Sequence, residues 1–175
     1  MAEEKKIGAI KEELQAAEDS MLPDFIARYE KDERSGVKTL VEKARKRIQK
    51  LETEYARIEK LKKYEKEYAD AGYICGIDEV GRGPVAGPVV AGAVILPKDC
   101  DILYINDSKK LSASMREKLY DEIMEKAVAT GIGMAGPGRI DEINILQATY
   151  EAMRQAITNL KVKPDILLNY QVTLP

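Results

Sequence analysis

Residues 73–96 read YICGIDEVGRGPVAGPVVAGAVIL. Two apolar runs, at 73–77 and 89–96, are bounded by glycine and proline, the pattern of short buried strands. Between them, two adjacent acids, Asp78 and Glu79, lead into a backbone nearly stripped of side chains, with Arg82 between Gly81 and Gly83. A dinucleotide-binding turn would place Gly81, Gly83 and Ala86 at the start of a helix, with Asp99 or Asp101 as the distal acid. Pro84, Pro88 and the β-branched run that follows require extended backbone instead. No Gly-Lys-Ser/Thr follows, so a P-loop is also excluded.

Outward from this stretch, strands alternate with helices. The segment NDSKKLSASMREKLYDEI (106–123) reads as a loop feeding a helix. Ser114 and Glu117 form a capping-box pattern there, and Met115, Leu119, Ile123 and Ala127 make an apolar stripe. GIGMAG (131–136) reads as a strand, 145–160 as an amphipathic helix and 165–168 as a further buried strand. The pattern predicts an α/β sheet with helices packed on it.

Residues 1–70 differ in character. Val41, Ala44, Ile48, Leu51, Tyr55 and Ile58 recur at spacings of three and four, the stripe of a long helix that must bury one face. A first helix over about 7–17 would complete a helical hairpin. Lys43, Arg45, Lys46, Arg47 and Lys50 cluster on the solvated side, a solvated face by default and a phosphate contact by chemistry. The expected organisation is a helical extension at 1–70, with potential to bind substrate, and an α/β domain at 71–175.

The composition limits the chemistry. The 175 residues include no histidine, removing the commonest general base and zinc ligand together. Hydrolysis would rest on carboxylates, and a carboxylate leaving a buried strand suits a hard cation such as Mg²⁺ or Mn²⁺. Successive strand side chains face opposite ways, so Asp78 and Glu79 share one ion only if the strand ends between them. A net charge of −2 gives no global nucleic-acid signature, so such binding would come from local patches. The lack of a long apolar run and of a signal-peptide pattern, with Cys75 and Cys100 in unrelated contexts, points to a soluble protein of the reducing cytoplasm.

GIDEVGRGPVAGPVVAGAVILP, NDSKKLS, IDEINILQAT and KPDILL, in that order, resemble the ribonuclease HII family over residues 72–175, and the segment around DERSGVKTL (32–40) is similar to the extension of bacterial members. The resemblance implies a ribonuclease H-like mixed sheet flanked by helices. It also implies an endoribonuclease that cuts the RNA strand of RNA–DNA hybrids and incises duplex DNA 5′ to a single ribonucleotide, using Mg²⁺ or Mn²⁺. By the same resemblance, Asp78 and Glu79 match the first two metal-binding catalytic carboxylates. Gly81, Arg82 and Gly83 match the element that reads the ribose 2′-hydroxyl, and Asn106, Asp107, Ser108 and Lys109 match a loop beside the substrate backbone.

The chain departs from that pattern in PDILLNYQVTLP (164–175), where Tyr170 stands at the position of a catalytic aspartate. Pro175 precedes the family region that carries a fourth metal-binding aspartate, a substrate-stacking tyrosine and further helices. The expectations are therefore impaired cleavage, or a hybrid-binding remnant or gene fragment, with apolar surface left exposed.

Overall fold

A computed structural model describes residues 5–83 and 86–169. The chain divides into two compact units, Met1–Lys60 and Leu61–Pro175.

The first unit is helical: α1 (Ile7–Ala16), α2 (Leu22–Tyr29) and most of α3 (Ser35–Leu61). Ile10 and Leu14 of α1, Leu22, Phe25 and Tyr29 of α2, and Val37, Leu40, Val41 and Ala44 of α3 form its core. The expected pair of helices is present, but α2 is additional. Its eight residues are too few to display a periodic stripe, and Pro23 sits in its first turn, where proline is tolerated. Below the core, Glu13 accepts hydrogen bonds from Lys5, Arg28 (2.8 Å) and the Tyr29 hydroxyl (2.8 Å). The Lys5 ammonium is the main reason its carboxyl lies below the usual carboxylate range. Asp32 is held low chiefly by Arg34, whose guanidinium also donates to the Lys5 carbonyl at 3.0 Å. The DERS sequence thereby anchors the entry into α3.

The second unit holds a four-stranded mixed sheet in the order β3-β2-β1-β4. Strand β1 (Ile74–Val80) pairs antiparallel with β2 (Val89–Ile95), β2 pairs antiparallel with β3 (Ala129–Ala135), and β4 (Ile166–Leu168) runs parallel to β1. Helices α4 (Lys63–Glu67), α5 (Ala113–Lys126) and α6 (Pro137–Thr158) complete it. This is the predicted helix-flanked mixed sheet.

Two boundaries differ from the sequence reading. Strand β1 runs three residues beyond Ile77, because Asp78, Glu79 and Val80 keep their pairing with Gly92, Ala91 and Val90. The cap of α5 is Ser112, whose hydroxyl accepts from the Met115 amide, instead of Ser114. The turn at Ser108–Lys110 delivers Ser112 with extended backbone, as an N-cap requires, and leaves Ser114 inside the helix. The helix expected from Ile145 does begin there. Asn144, at φ 66° and ψ 163°, breaks α6, and its side chain accepts from the amides of Leu146 and Gln147 at 3.0 and 3.1 Å.

Helix α6 lies on one face of the sheet, where Cys75, Ile77, Ala91, Ala93 and Ile95 meet Ala148, Ala152, Met153 and Ala156. Its approach to β3 is very close. A Cβ on Gly131 would overlap the Ala156 carbonyl oxygen, and one on Gly133 would overlap that of Ala152 and come within 2.6 Å of the Ala156 nitrogen. Two side chains of the same helix satisfy the outer edge of β3: Gln155 accepts from the Met134 amide at 3.1 Å and Asn159 donates to the Ile132 carbonyl at 2.8 Å. Strand β4 is tied in at the opposite edge, where the Asp165 carboxylate accepts from the Tyr73 amide at 2.8 Å.

The substitution Gly133→Ala is expected to cost about 2 kcal/mol or more, because the obstructing atoms are helix backbone and cannot rotate aside. Gly138→Ala, in the first turn of the same helix with nothing within 4 Å, is expected to stabilise by about 0.5–1 kcal/mol. Urea unfolding of both variants checks the contrast; equal midpoints would contradict the packing described. Burial pushes the Cys75 thiol up and shields it, whereas Cys100 is only partly covered. A disulfide-exchange reagent at neutral pH is therefore expected to titrate one thiol in the native protein and two after unfolding.

Candidate active site

The strand pairings set which way each acid points. Cross-strand partners share a face, so Asp78, Gly92 and Ile132 form one row, and Glu79, Ala91 and Gly133 form the next row on the other face. Glu79 therefore lies on the α6 side. Its side chain is only 9% exposed and accepts from Arg82 at 3.2 Å. Asp78 stands on the open face, exposed and with no hydrogen bond or ion pair among the described residues. The strand does not end between the two acids, so the condition for both to turn into one ion site is not met within β1.

Around Asp78 the open face is bare. Its cross-strand neighbour is Gly92, and Gly76 lies two residues back on the same side; a Cβ on either would meet nothing within 4 Å. Farther along the face, Val80 (69% exposed), Ile132 (63%) and Met134 (57%) leave apolar surface uncovered among the described residues. Gly92 was not evident as a neighbour of Asp78 in the sequence, because only the register between β1 and β2 brings them together.

The glycines flanking Arg82 differ. Gly81 sits at φ +89°, and a Cβ there would collide with the Pro88 carbonyl, so closing the hairpin requires glycine. Gly83 has no positive φ and nothing within 4 Å among the described residues. Neither backbone conformation nor packing of the described residues explains the missing side chain at Gly83.

Asn106, Ser108 and Lys109 lie on an exposed loop ordered by its own contacts. Asn106 accepts from the Asp107 amide at 2.9 Å, and Asp107 accepts from the Lys109 amide at 3.0 Å. Arg116 braces this loop by donating to the Ser108 and Leu111 carbonyls at 3.2 and 2.7 Å. The sequence reading overlooked Arg116, whose signal is a guanidinium one turn into the helix that follows the loop. No described hydrogen bond or ion pair joins this loop to Asp78, Glu79 or Arg82. Asp165 serves at the far end of β1, bonded to Tyr73, and so is not beside Asp78. Tyr170 lies outside the described residues.

The donor chemistry suits a hard cation, but the described residues contain no group of three acidic, cysteine or histidine side chains able to hold a metal ion. Asp78 is an open oxygen ligand, whereas Glu79 is engaged with Arg82 on the other face. These two carboxylates alone do not complete a site. Among the described residues, no helix is long and apolar enough to cross a membrane.

The chain is 59% identical to a ribonuclease HII of Lachnoclostridium phytofermentans over 170 residues, covering 97% of this chain and 67% of that protein. It is 49% identical to a ribonuclease HII of Enterococcus faecalis over 170 residues, covering 96% of this chain and 66% of that protein. The chain thus spans about two thirds of the length of these two relatives. The ribonuclease H2 crystal structure from Pyrococcus horikoshii aligns with a TM-score of 0.46 at 28% identity, over 54% of this chain and 48% of that one. The family model for the Ribonuclease HII N-terminal domain matches residues 6–69. That for Ribonuclease HII matches residues 75–174, which include both acids and all of the sheet except Ile74, so this chain belongs to the ribonuclease HII family.

Proposed function

We propose that the chain carries the framework of an endoribonuclease that hydrolyses the RNA strand of RNA–DNA hybrids and incises duplex DNA 5′ to a single ribonucleotide. The observation that supports this best is Asp78, an unpartnered carboxylate on a glycine-floored sheet face, one turn of chain before Gly83. A bare floor lets a sugar–phosphate backbone approach the carboxylate. Gly83 leaves its peptide open to a ribose, and a hydrogen bond to the 2′-hydroxyl is what separates RNA from DNA at one position. Arg82, steadied by Glu79 at 3.2 Å, offers its remaining donors to a phosphate. Asn106, Ser108 and Lys109 supply contacts to the substrate backbone that position without reading sequence.

Dependence on a divalent metal goes with the family, and Mg²⁺ or Mn²⁺ is the proposed ion. When bound, such an ion activates water and stabilises the leaving oxygen. Asp78 is proposed to hold it, with Glu79 contributing only if it leaves Arg82. A second reading is a protein that recognises the duplex but incises it poorly. It is favoured by Tyr170, a phenol where the family pattern has a carboxylate.

Incision of a duplex with one ribonucleotide, in Mg²⁺ and separately in Mn²⁺, tests both readings. Tyr170→Asp is expected to incise faster than the parent. Asp78→Asn is expected to lose about 100-fold or more of whatever incision is present, the scale of one positioned charge-stabilising or proton-transferring group. Equal incision by the parent and Asp78→Asn would remove Asp78 from the chemistry. The variant Gly83→Ala is expected to fold with an unchanged melting temperature but to lose the preference for a ribonucleotide-containing duplex over an all-DNA one. Retained preference would show that Gly83 does not read the ribose.

A further inference from the structure

The turn that leads into α5 is made entirely of surface residues. Asn106, Asp107, Ser108, Lys109 and Lys110 are all exposed, and none of them enters the core of the sheet. Their conformation therefore rests on hydrogen bonds. The Asp107 carboxylate accepts from the Lys109 amide at 3.0 Å, the Asp107 carbonyl from the Lys110 amide at 2.9 Å, and the Ser108 carbonyl from the Leu111 amide at 3.3 Å. Among the described residues, the bond that joins residues 106–110 to a side chain beyond the turn comes from Arg116, whose Nη1 donates to the Ser108 carbonyl as well as to that of Leu111.

Nothing in α5 itself calls for an arginine at this place. Arg116 closes the first turn of the helix, four residues after the Ser112 cap. A cation near a helix N-terminus opposes the helix dipole, and the first turn holds no acid to offset it. Arg116 makes no ion pair among the described residues. Helical side chains lean toward the N-terminus, so a long one at this position reaches back over the turn that precedes the cap. A guanidinium carries its donors in a rigid plane, so bonds to two carbonyls fix the orientation of the turn as well as its distance.

We infer that Arg116 is a positioning residue: it holds the 106–110 turn in the shape that presents Ser108 and Lys109 to the backbone of the nucleic-acid substrate, and it acts through that turn without meeting the substrate. The inference rests on the role proposed above for Ser108 and Lys109. A turn ordered in advance binds without the cost of ordering, which a loose turn would take from the affinity.

Two measurements on the full chain test this. Hydrogen exchange reads the turn itself, and anisotropy with a fluorescent all-DNA duplex, which offers no ribose to cleave, reads the backbone contact. Arg116→Gln is compared with Lys109→Gln, with the double variant and with Glu117→Gln, an exposed neighbour without a hydrogen bond or ion pair among the described residues. In Arg116→Gln the Lys109, Lys110 and Leu111 amides are expected to exchange about tenfold faster, the effect of losing one net hydrogen bond from a charged donor, while the melting temperature stays that of the parent. Glu117→Gln is expected to change neither exchange nor affinity. Arg116→Gln and Lys109→Gln are each expected to weaken duplex binding, and the double variant to weaken it by less than the product of the two, because Arg116 works through the turn that carries Lys109. Unchanged exchange in Arg116→Gln would overturn the inference, as would effects that multiply in full, the behaviour of two separate contacts. If Lys109→Gln weakens binding and Arg116→Gln does not, the positioning role fails while the turn keeps its contact with the duplex. If neither variant weakens binding, or the parent does not bind, the turn has no such contact and the positioning role falls with it.

Discussion

The contact on which the α/β unit depends is the close approach of α6 to β3. Gly131 and Gly133 remove the side chains that would hold the helix away, and the Ala152 and Ala156 carbonyls occupy the space. A helix normally sits on a sheet with large side chains between them. Here alanines meet glycines, so the backbones come close and Gln155 and Asn159 can reach the outer edge of β3. That edge would otherwise present unpaired groups to solvent or to another strand.

This one-sided packing sorts the two acids. Because α6 covers the face bearing Cys75, Ile77 and Glu79, the alternation of the strand places Asp78 on the uncovered face. Glu79 is largely buried and takes Arg82 as its partner, which satisfies a carboxylate that would otherwise be costly to cover. Asp78 remains solvated and open to a ligand. The two adjacent residues therefore have different electrostatic surroundings although the sequence presents them as a pair.

In the N-terminal unit, opposite charges are used locally. Glu13 gathers Lys5, Arg28 and Tyr29, Asp32 takes Arg34, and the arginines of α3 each find an acid. The helical stripe was legible at Val41, Ala44 and Ile58, which are buried, but not at Tyr55, which is exposed while Glu54 is covered. A stripe at 3.5-residue spacing drifts around an ideal helix, so over 27 residues the buried line moves from one set of positions to the next.

What the sequence by itself determined is the inventory: a charged helical segment, strands near 73–77, 89–96 and 131–136, a helix from Ile145, and a carboxylate chemistry without histidine. These follow from periodicity, from proline and glycine placement and from composition, which are local properties. Membership of the ribonuclease HII family was likewise legible, in the order of its motifs. Tertiary structure decided the continuation of β1 through Val80, the choice of Ser112 over Ser114 as cap, Arg116 as the brace of the 106–110 loop, and the different reasons for Gly81 and Gly83. Each of these depends on a partner distant in the chain or on the path of a turn. Local pattern shows that a strand alternates, but only its neighbours and the helix laid across it determine which side carries the open carboxylate.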